Sequence, residues 1–353
     1  MKILYAVQAT GNGHIARATE LLPFLQNYGS VDVFLSGSNS TLNSNLPVQY
    51  KSKGLSLFYG NRGSLNYWKL IKNFAPLRIV KEAKQLPVEK YDIVINDFES
   101  ITALACKMKK KPFVHFGHQA SFASNKTPRP IKKDIAGELI LKNYASSAHN
   151  IGLHFDNYDT DIYAPIIKSA ILQANPTNNG HVTVYLAHYS DEVVIEQLEK
   201  VKDVQFHVFS KKVKQIQRIK NILLVPVNNQ AFNESMINSA GVITGAGFET
   251  PAEALYLNKK IMCLPILGQY EQLCNAAALE KLNATIVTKI DEHFSFTIKM
   301  WMNSVTPQPL LLKQSTAEIV ELVIQKGIAL QQSKEESVYS VPEFHIPSPE
   351  YSF

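Results

Sequence analysis

Cysteine is scarce in this chain. Three residues in 353, Cys106, Cys263 and Cys274, form an odd set with no C-x-x-C spacing. That speaks against a disulfide framework and against a zinc site, and it fits a reducing cytoplasm. Long apolar runs are also missing: none reaches the ~18–20 residues that span a bilayer, so no transmembrane helix is expected. No secretory leader is expected either, since Met1–Val7 is a short strand-like run passing straight into polar turn residues. A strong charge bias is lacking too. The net charge of +6 suits anionic ligands or an acidic membrane surface, without the basic stripe and groove-reading motif of a nucleic-acid binder. What remains is a chain with 45% hydrophobic and 19% charged residues, the balance of a soluble globular protein. Its length implies two domains of ~150–180 residues.

Strand-like apolar runs alternate with helix-period segments along the whole chain. "KILYAV", a helix over His14–Tyr28 and "VDVFLSG" come first, then Tyr91–Asp97, a helix over Ser100–Lys109 and Lys111–His118. The second half restarts with His181–Ala187, Asp191–Val201, "VQFHVFS", "NILLVPV", Gln230–Ser239, "GVIT", Pro251–Leu257, "KKIMCLPI", Tyr270–Leu282 and "ATIVT". This βαβα order predicts parallel sheets covered by helices, an α/β chain of two Rossmann-like domains facing a central cleft. The expected division is an N-terminal domain over 1–164, a linker over 165–179 and a C-terminal domain over 180–330. An irregular tail, expected mobile or packed on the surface, covers 331–353. Ligands of such sheets bind beyond the carboxyl ends of the strands, so both sets of loops converge on the cleft.

Two of those loops are rich in glycine. "VQATGNGHIARA" places Gly11, Gly13 and His14 directly after the first strand. A dinucleotide site would need an acid about 20 residues on, yet the next strand ends in Ser36-Gly37-Ser38. Two readings stay open: a tight turn whose histidine caps the helix, or a histidine facing the cleft as a base for a hydroxyl. Asp97 and Glu99 in "INDFES" end the next clear strand and could orient such an imidazole; the plain alternative is that Asp97 caps the helix. His118-Gln119 follows a strand and either lines the cleft or is a buried strand-end pair.

The second loop is "VITGAGFETPAEAL". Gly245, Ala246 and Gly247 lead into a helix opening near Glu249 or Thr250, with Pro251 at an early position that tolerates a missing donor. Glycines admit close backbone approach, and a helix N-terminus turns unpaired N–H groups toward an anion. Thr250 adds a hydroxyl, and Glu253, one turn on, is placed to accept from a ribose diol. "LPILGQYEQ" presents Gln269, Glu271 and Gln272, a polar set suited to several hydroxyls at once.

This block resembles the donor-binding segment of GT-B glycosyltransferases, above all the MurG-like branch, and more distantly the H-C-G-W-N-S-x-x-E-A signature of UDP-dependent glycosyltransferases. The resemblance puts Gly247 on the signature's glycine and Phe248 on its tryptophan. Thr250 falls on the phosphate-contacting serine, Glu253 on the ribose-binding glutamate, and Gln269, Glu271 and Gln272 on the sugar contacts. Gly245 stands where many members carry a diphosphate-binding histidine, which leaves phosphate contacts to backbone N–H groups. "GNGHIARA" and "HFGHQAS" resemble the MurG-like G-G-H-x-x-P-A loop and H-E-Q-N segment. The family implies a nucleoside-diphosphate sugar as co-substrate, most simply a UDP-sugar. It also implies a hydroxyl acceptor, lipid-linked or of the cell envelope, and inversion without metal or other cofactor.

"DNYDTD" (Asp156–Asp161) contains a D-x-D, but short acidic clusters are common in loops and no metal is expected there. The basic runs "KMKKKP" and Lys211–Lys220 read as solvated faces. Tyr59–Lys84 interleaves Tyr67, Trp68 and Phe74 with cations, which suits either core packing or peripheral contact with the inner face of a membrane. Two rival functions share these features: a UDP-N-acetylglucosamine 2-epimerase-like enzyme and a non-catalytic nucleotide-sugar-binding subunit.

Overall fold

The computed structural model describes residues 1–9, 12–37, 46–54 and 76–339. Gly11, and Tyr67, Trp68 and Phe74 of the aromatic segment, lie outside the described residues. The first sheet holds seven strands: β1 (Lys2–Gln8), β2 (Ser30–Ser36), β3 (Val48–Ser52), β4 (Ile93–Asp97), β5 (Val114–Gly117), β6 (Asn150–Leu153) and β7 (Ile162–Tyr163). Their order is β3-β2-β1-β4-β5-β6-β7, and every pairing is parallel. The second sheet is built from β8 (His181–Tyr185), β9 (Gln205–Ser210), β10 (Gln217–Ile219), β11 (Ile222–Pro226), β12 (Gly241–Gly245), β13 (Lys260–Leu264) and β14 (Thr285–Ile286). It runs β10-β11-β9-β8-β12-β13-β14, with only the edge pair β10–β11 antiparallel. These are the two expected Rossmann-like sheets.

Buried central strands explain why the pattern was readable. In β1, Ile3 to Val7 are wholly buried, and in β4 every residue is buried. A parallel strand covered by helices on both faces must be apolar almost throughout. Four helices matter for the site: α1 (Asn12–Gln26), α2 (Ser100–Met108), α3 (Glu249–Tyr256) and α4 (Tyr270–Lys281). In each sheet the strand order reverses once near the centre, between β1 and β4 and between β8 and β12. Such a switch point opens a crevice because the flanking loops leave in opposite directions.

The C-terminal end differs from expectation. A fifth helix, α5, runs over Thr316–Tyr339, so 331–339, expected to be irregular, continue a helix. It starts with a capping box, in which Ser315 N–H donates to Glu318 Oε2 at 2.7 Å and Glu318 N–H donates to Ser315 Oγ at 3.3 Å. Residues 316–330, expected to belong to the C-terminal domain, pack instead against the first sheet. Ile319, Val320, Val323 and Ile324 are buried, and a Cβ added to Gly327 would sit 2.7 Å from Ile93 Cγ2. Lys326 Nζ donates to Asp161 at 3.0 Å. The stretch over 165–179 is itself packed, with Ile166, Ile167 and Ile171 buried and Thr177 N–H donating to the Ile237 carbonyl at 3.1 Å.

Candidate functional site between the two sheets

On the N-terminal side the site is built by the start of α1 and by the turns after β4 and β5. His14 lies on the first turn of α1 and Arg17 one turn further on, spaced to share a face. Asp97 closes β4. The next residue, Phe98, has φ +54°, a left-handed conformation costly for a side chain of that size. Its surroundings hold it there: Asn96 Nδ2 donates to the Glu99 carbonyl at 2.7 Å and Asn96 Oδ1 accepts from Glu99 N–H at 2.8 Å. Glu99 then caps α2, accepting from Ile101 N–H at 2.9 Å and Thr102 N–H at 2.6 Å. The helix cap is therefore Glu99 and not Asp97. Glu99 makes no hydrogen bond to His14 among the described contacts, so the orienting carboxylate in this structure is Asp97 alone. Gly117, at the end of β5, has φ +136°, and a Cβ there would lie 2.7 Å from Asp97 Oδ1. Only glycine allows β5 to pass the carboxylate this closely.

Asp97 is fully buried and is shared by two partners. His14 Nδ1 is 2.9 Å from Asp97 Oδ1. Arg17 donates from Nη2 to both oxygens at 2.8 Å and from Nε at 3.2 Å. Burial alone would raise the pKa of this carboxyl, but Arg17 and then His14 hold it well below the usual carboxylate range. On the far side of the ring, His14 Nε2 lies 3.5 Å from Gln119 Nε2, which also donates to Glu271 Oε2 at 3.1 Å. An amide oxygen turned toward Glu271 would be repelled, so the amide nitrogen faces both acceptors. The His14 ring is thereby held on both sides, Nδ1 against Asp97 and Nε2 against the Gln119 amide.

The C-terminal side supplies the loop from Gly245 to α3 and the start of α4. A Cβ added at Gly247 would meet nothing within 4 Å, and one at Gly245 nothing closer than 3.7 Å. Internal packing therefore does not demand glycine at either position, and both leave room against the backbone. Asn275 Nδ2 donates to the Ala246 carbonyl at 3.1 Å and pins the loop. Gln272 Oε1 accepts from Ile266 N–H at 2.9 Å, while Gln269 precedes the first turn of α4 and is half-buried.

The two sides touch. Arg17 Nη1 donates to Glu249 Oε1, the first residue of α3, and a Cβ on Gly13 would lie 3.1 Å from Glu249 Cγ. Phe248 stacks on His118 with ring centroids 3.9 Å apart and planes 9° from parallel. The two ring nitrogens of His118 lie 3.0 Å from the Leu153 carbonyl and 2.8 Å from the Asn275 side chain. Burial lowers the basicity of His118, against the opposing pull of Glu271. Glu253 is 1% exposed, and its carboxylate is held by Lys168 Nζ at 3.1 Å. Burial raises Glu253 to about 7 in spite of Lys168.

Beside this contact lies an open cleft. Asn12, Gly13, Glu249 and Thr250 form one wall, and Tyr185, Phe209, Phe232, Asn228 and Asn229 the other, with Lys168 at its side. Glu253 does not form part of this wall. Its partner Lys168 does.

A family model for glycosyl transferase family 1 matches residues 1–305. The chain belongs to glycosyl transferase family 1. It is a glycosyltransferase, and sugar transfer is its chemistry. No curated protein sequence matches it. Among solved structures it is similar to Arabidopsis thaliana UGT89C1 complexed with UDP, at 13% identity and TM-score 0.57, over 95% of this chain and 98% of that one. The glycotransferase of kitacinnamycin aligns at 11% identity and TM-score 0.57, over 96% and 98%. Phytolacca americana UGT2, complexed with UDP-2fluoro-glucose and pterostilbene, aligns at 13% and 0.56, over 96% and 95%. At these identities the likeness establishes the fold, the GT-B arrangement of two facing Rossmann-like domains.

Within this family member, tertiary structure adds residues that sequence reasoning passed over: Arg17, Glu249, Lys168 and Asn275. Arg17 carried a usable signal, since it follows His14 at helical spacing on a face otherwise made of small and apolar residues. Lys168 and Asn275 carried none. The acids of the D-x-D segment are paired with lysines, Asp159 with Lys126 at 2.8 Å and Asp161 with Lys326 of α5 at 3.0 Å.

Proposed function

We propose that the chain transfers a hexosyl group from a nucleoside-diphosphate sugar, preferentially a UDP-sugar, to an acceptor hydroxyl with inversion and without a metal ion. The observation that carries the reading is the setting of His14: its Nδ1 lies 2.9 Å from the buried Asp97 Oδ1, and its helix α1 meets α3, the helix that follows the Gly245–Gly247 loop, through Arg17 and Glu249. In the proposed reaction His14 Nε2 takes the acceptor proton as the acceptor oxygen attacks the anomeric carbon. The bond from that carbon to the diphosphate oxygen breaks on the opposite face. The departing diphosphate collects hydrogen bonds from the N-terminal N–H groups of α3 and from the Thr250 hydroxyl, which fits a helix pole and requires no further cation.

The cleft supports the nucleoside end. Tyr185, Phe209 and Phe232 offer aromatic area for a base, and the Asn228 and Asn229 amides offer donors and acceptors beside it. Ribose hydroxyls meet Lys168 first and reach Glu253 by displacing it. Gln269, Glu271 and Gln272 are proposed for the sugar, and His118 with Gln119 for the acceptor side. The acceptor is proposed to be lipid-linked or a cell-envelope glycan, which would bring the enzyme to the cytoplasmic face of a membrane. No helix among the described residues is long and apolar enough to cross one.

Calorimetric titration with UDP, GDP and TDP, followed by transfer assays with the matching sugars, tests this. UDP binding is expected to be tightest, and His14→Ala to lower turnover by about 10²–10⁴-fold while leaving UDP affinity intact. Absence of binding to every nucleotide would overturn the donor assignment, and unchanged turnover in His14→Ala would remove the proposed base.

A further inference from the structure

Arg17 is a cation with almost no solvent: it is 3% exposed, yet it lies between carboxylates from both halves of the molecule. Nε and Nη2 donate to Asp97 in the N-terminal half, and Nη1 donates to Glu249 in the C-terminal half. Nη2 also lies 3.0 Å from His14 Nδ1. A buried guanidinium is costly unless its donors are satisfied, and its rigid fork can satisfy two carboxylates at once. Because the fork is planar and stiff, the position of Glu249 constrains the position of Asp97, and Asp97 holds the imidazole.

We propose that Arg17 is a positioning residue that transmits closure of the C-terminal half to His14, the seating of Glu249 on Nη1 holding Asp97 in place against Nδ1. The inference rests on the assignment of His14 as base, and it adds a coupling between the two halves. Glu249 opens α3, the helix whose N-terminus is proposed to receive the diphosphate, so the residue that senses the donor end is one bond from the clasp. The groups facing His14 come from several elements: Asp97 on β4, Arg17 on α1, Gln119 after β5, Glu271 on α4 through Gln119, and Glu249 on α3. Without Arg17 the two carboxylates would face one another unneutralised across the closed contact.

Ring-nitrogen NMR on the full chain, with ¹⁵N-labelled histidine and the His14 signals identified by His14→Gln, tests the coupling. Glu249→Gln is nearly isosteric and forms no hydrogen bond to His14, yet it is expected to shift the His14 ring nitrogens. In an Arg17→Met background the same substitution is expected to leave them in place. Arg17→Lys keeps the charge but not the fork and is expected to lose the coupling as well, which provides a second background should Arg17→Met fold poorly. Unmoved His14 signals in Glu249→Gln would overturn the proposal, as would an equal shift in both Arg17 backgrounds. UDP titration of the same samples separates the two ideas: a chain that shows the coupling but binds no nucleotide refutes the donor assignment and leaves the clasp standing.

Discussion

Asp97 shows how one carboxylate can serve two purposes. It orients a ring and neutralises a buried guanidinium, so its removal costs more than one hydrogen bond. Asp97→Asn leaves Arg17 uncompensated on that side, and about 3–5 kcal/mol of stability is expected to be lost, measured by urea denaturation at neutral pH. The sign of its pH dependence follows from the depressed folded-state value. The contribution is present above the unfolded carboxyl value of about 3.9 and fades as pH falls through the folded one. Wild type and Asp97→Asn should therefore converge in stability upon acidification below about pH 4. Glu253 behaves in the opposite sense, because burial raises it to about 7. Its contribution is complete below the unfolded value and is lost as pH rises toward 7. Glu253→Gln should remove a stability slope of up to about 1.4 kcal/mol per pH unit between about pH 4.5 and 7, read from thermal or denaturant midpoints across that range.

At the scale of elements, the turn from β4 into α2 carries the precision of the site. Phe98 is held in a left-handed conformation by the Asn96 side chain on one side and by the Glu99 cap on the other. Glu99→Ala removes the cap from two buried N–H groups, and a loss of about 0.5–2 kcal/mol is expected, measured as a lower unfolding midpoint. Turnover should fall in parallel, since the same turn aims Asp97. The turn could not be read correctly from sequence. "INDFES" offers two acids two residues apart, and either could cap a helix or orient a ring. Which does which depends on the left-handed Phe98 between them, a backbone state set by tertiary contacts. Edge elements were hidden for a related reason. β3 alternates half-buried and exposed residues and β10 has no buried residue, so neither shows the apolar run that marked β1 and β4.

At the scale of the molecule, two crevices at two switch points face each other, and the first sheet recruits a helix from the far end of the chain. α5 packs on β4, and Gly327 lies against that strand, where a side chain would run into Ile93. Gly327→Leu should force the helix away from the strand that ends in Asp97, costing about 1–3 kcal/mol by overpacking and visible in the unfolding midpoint. The sequence concealed this return, because a helix at the end of the second half reads as part of the second half.

The sequence by itself determined the α/β class, the two glycine-rich loops and the family resemblance. These rest on local facts: central parallel strands must be apolar throughout, and loops that admit a ligand to the backbone need glycine. It also singled out His14, Asp97 and the Gly245–Thr250 loop, because each follows a strand at the end where such sheets bind ligands. Only the tertiary structure decided which of Asp97 and Glu99 meets His14, that Glu253 is held by Lys168, and that α5 belongs to the first sheet. It alone brought Arg17 and Glu249, 232 residues apart, into one ion pair. The reason is physical. Pairing of buried charges is fixed by desolvation and packing between distant segments, and no local pattern of residues encodes which segments will meet.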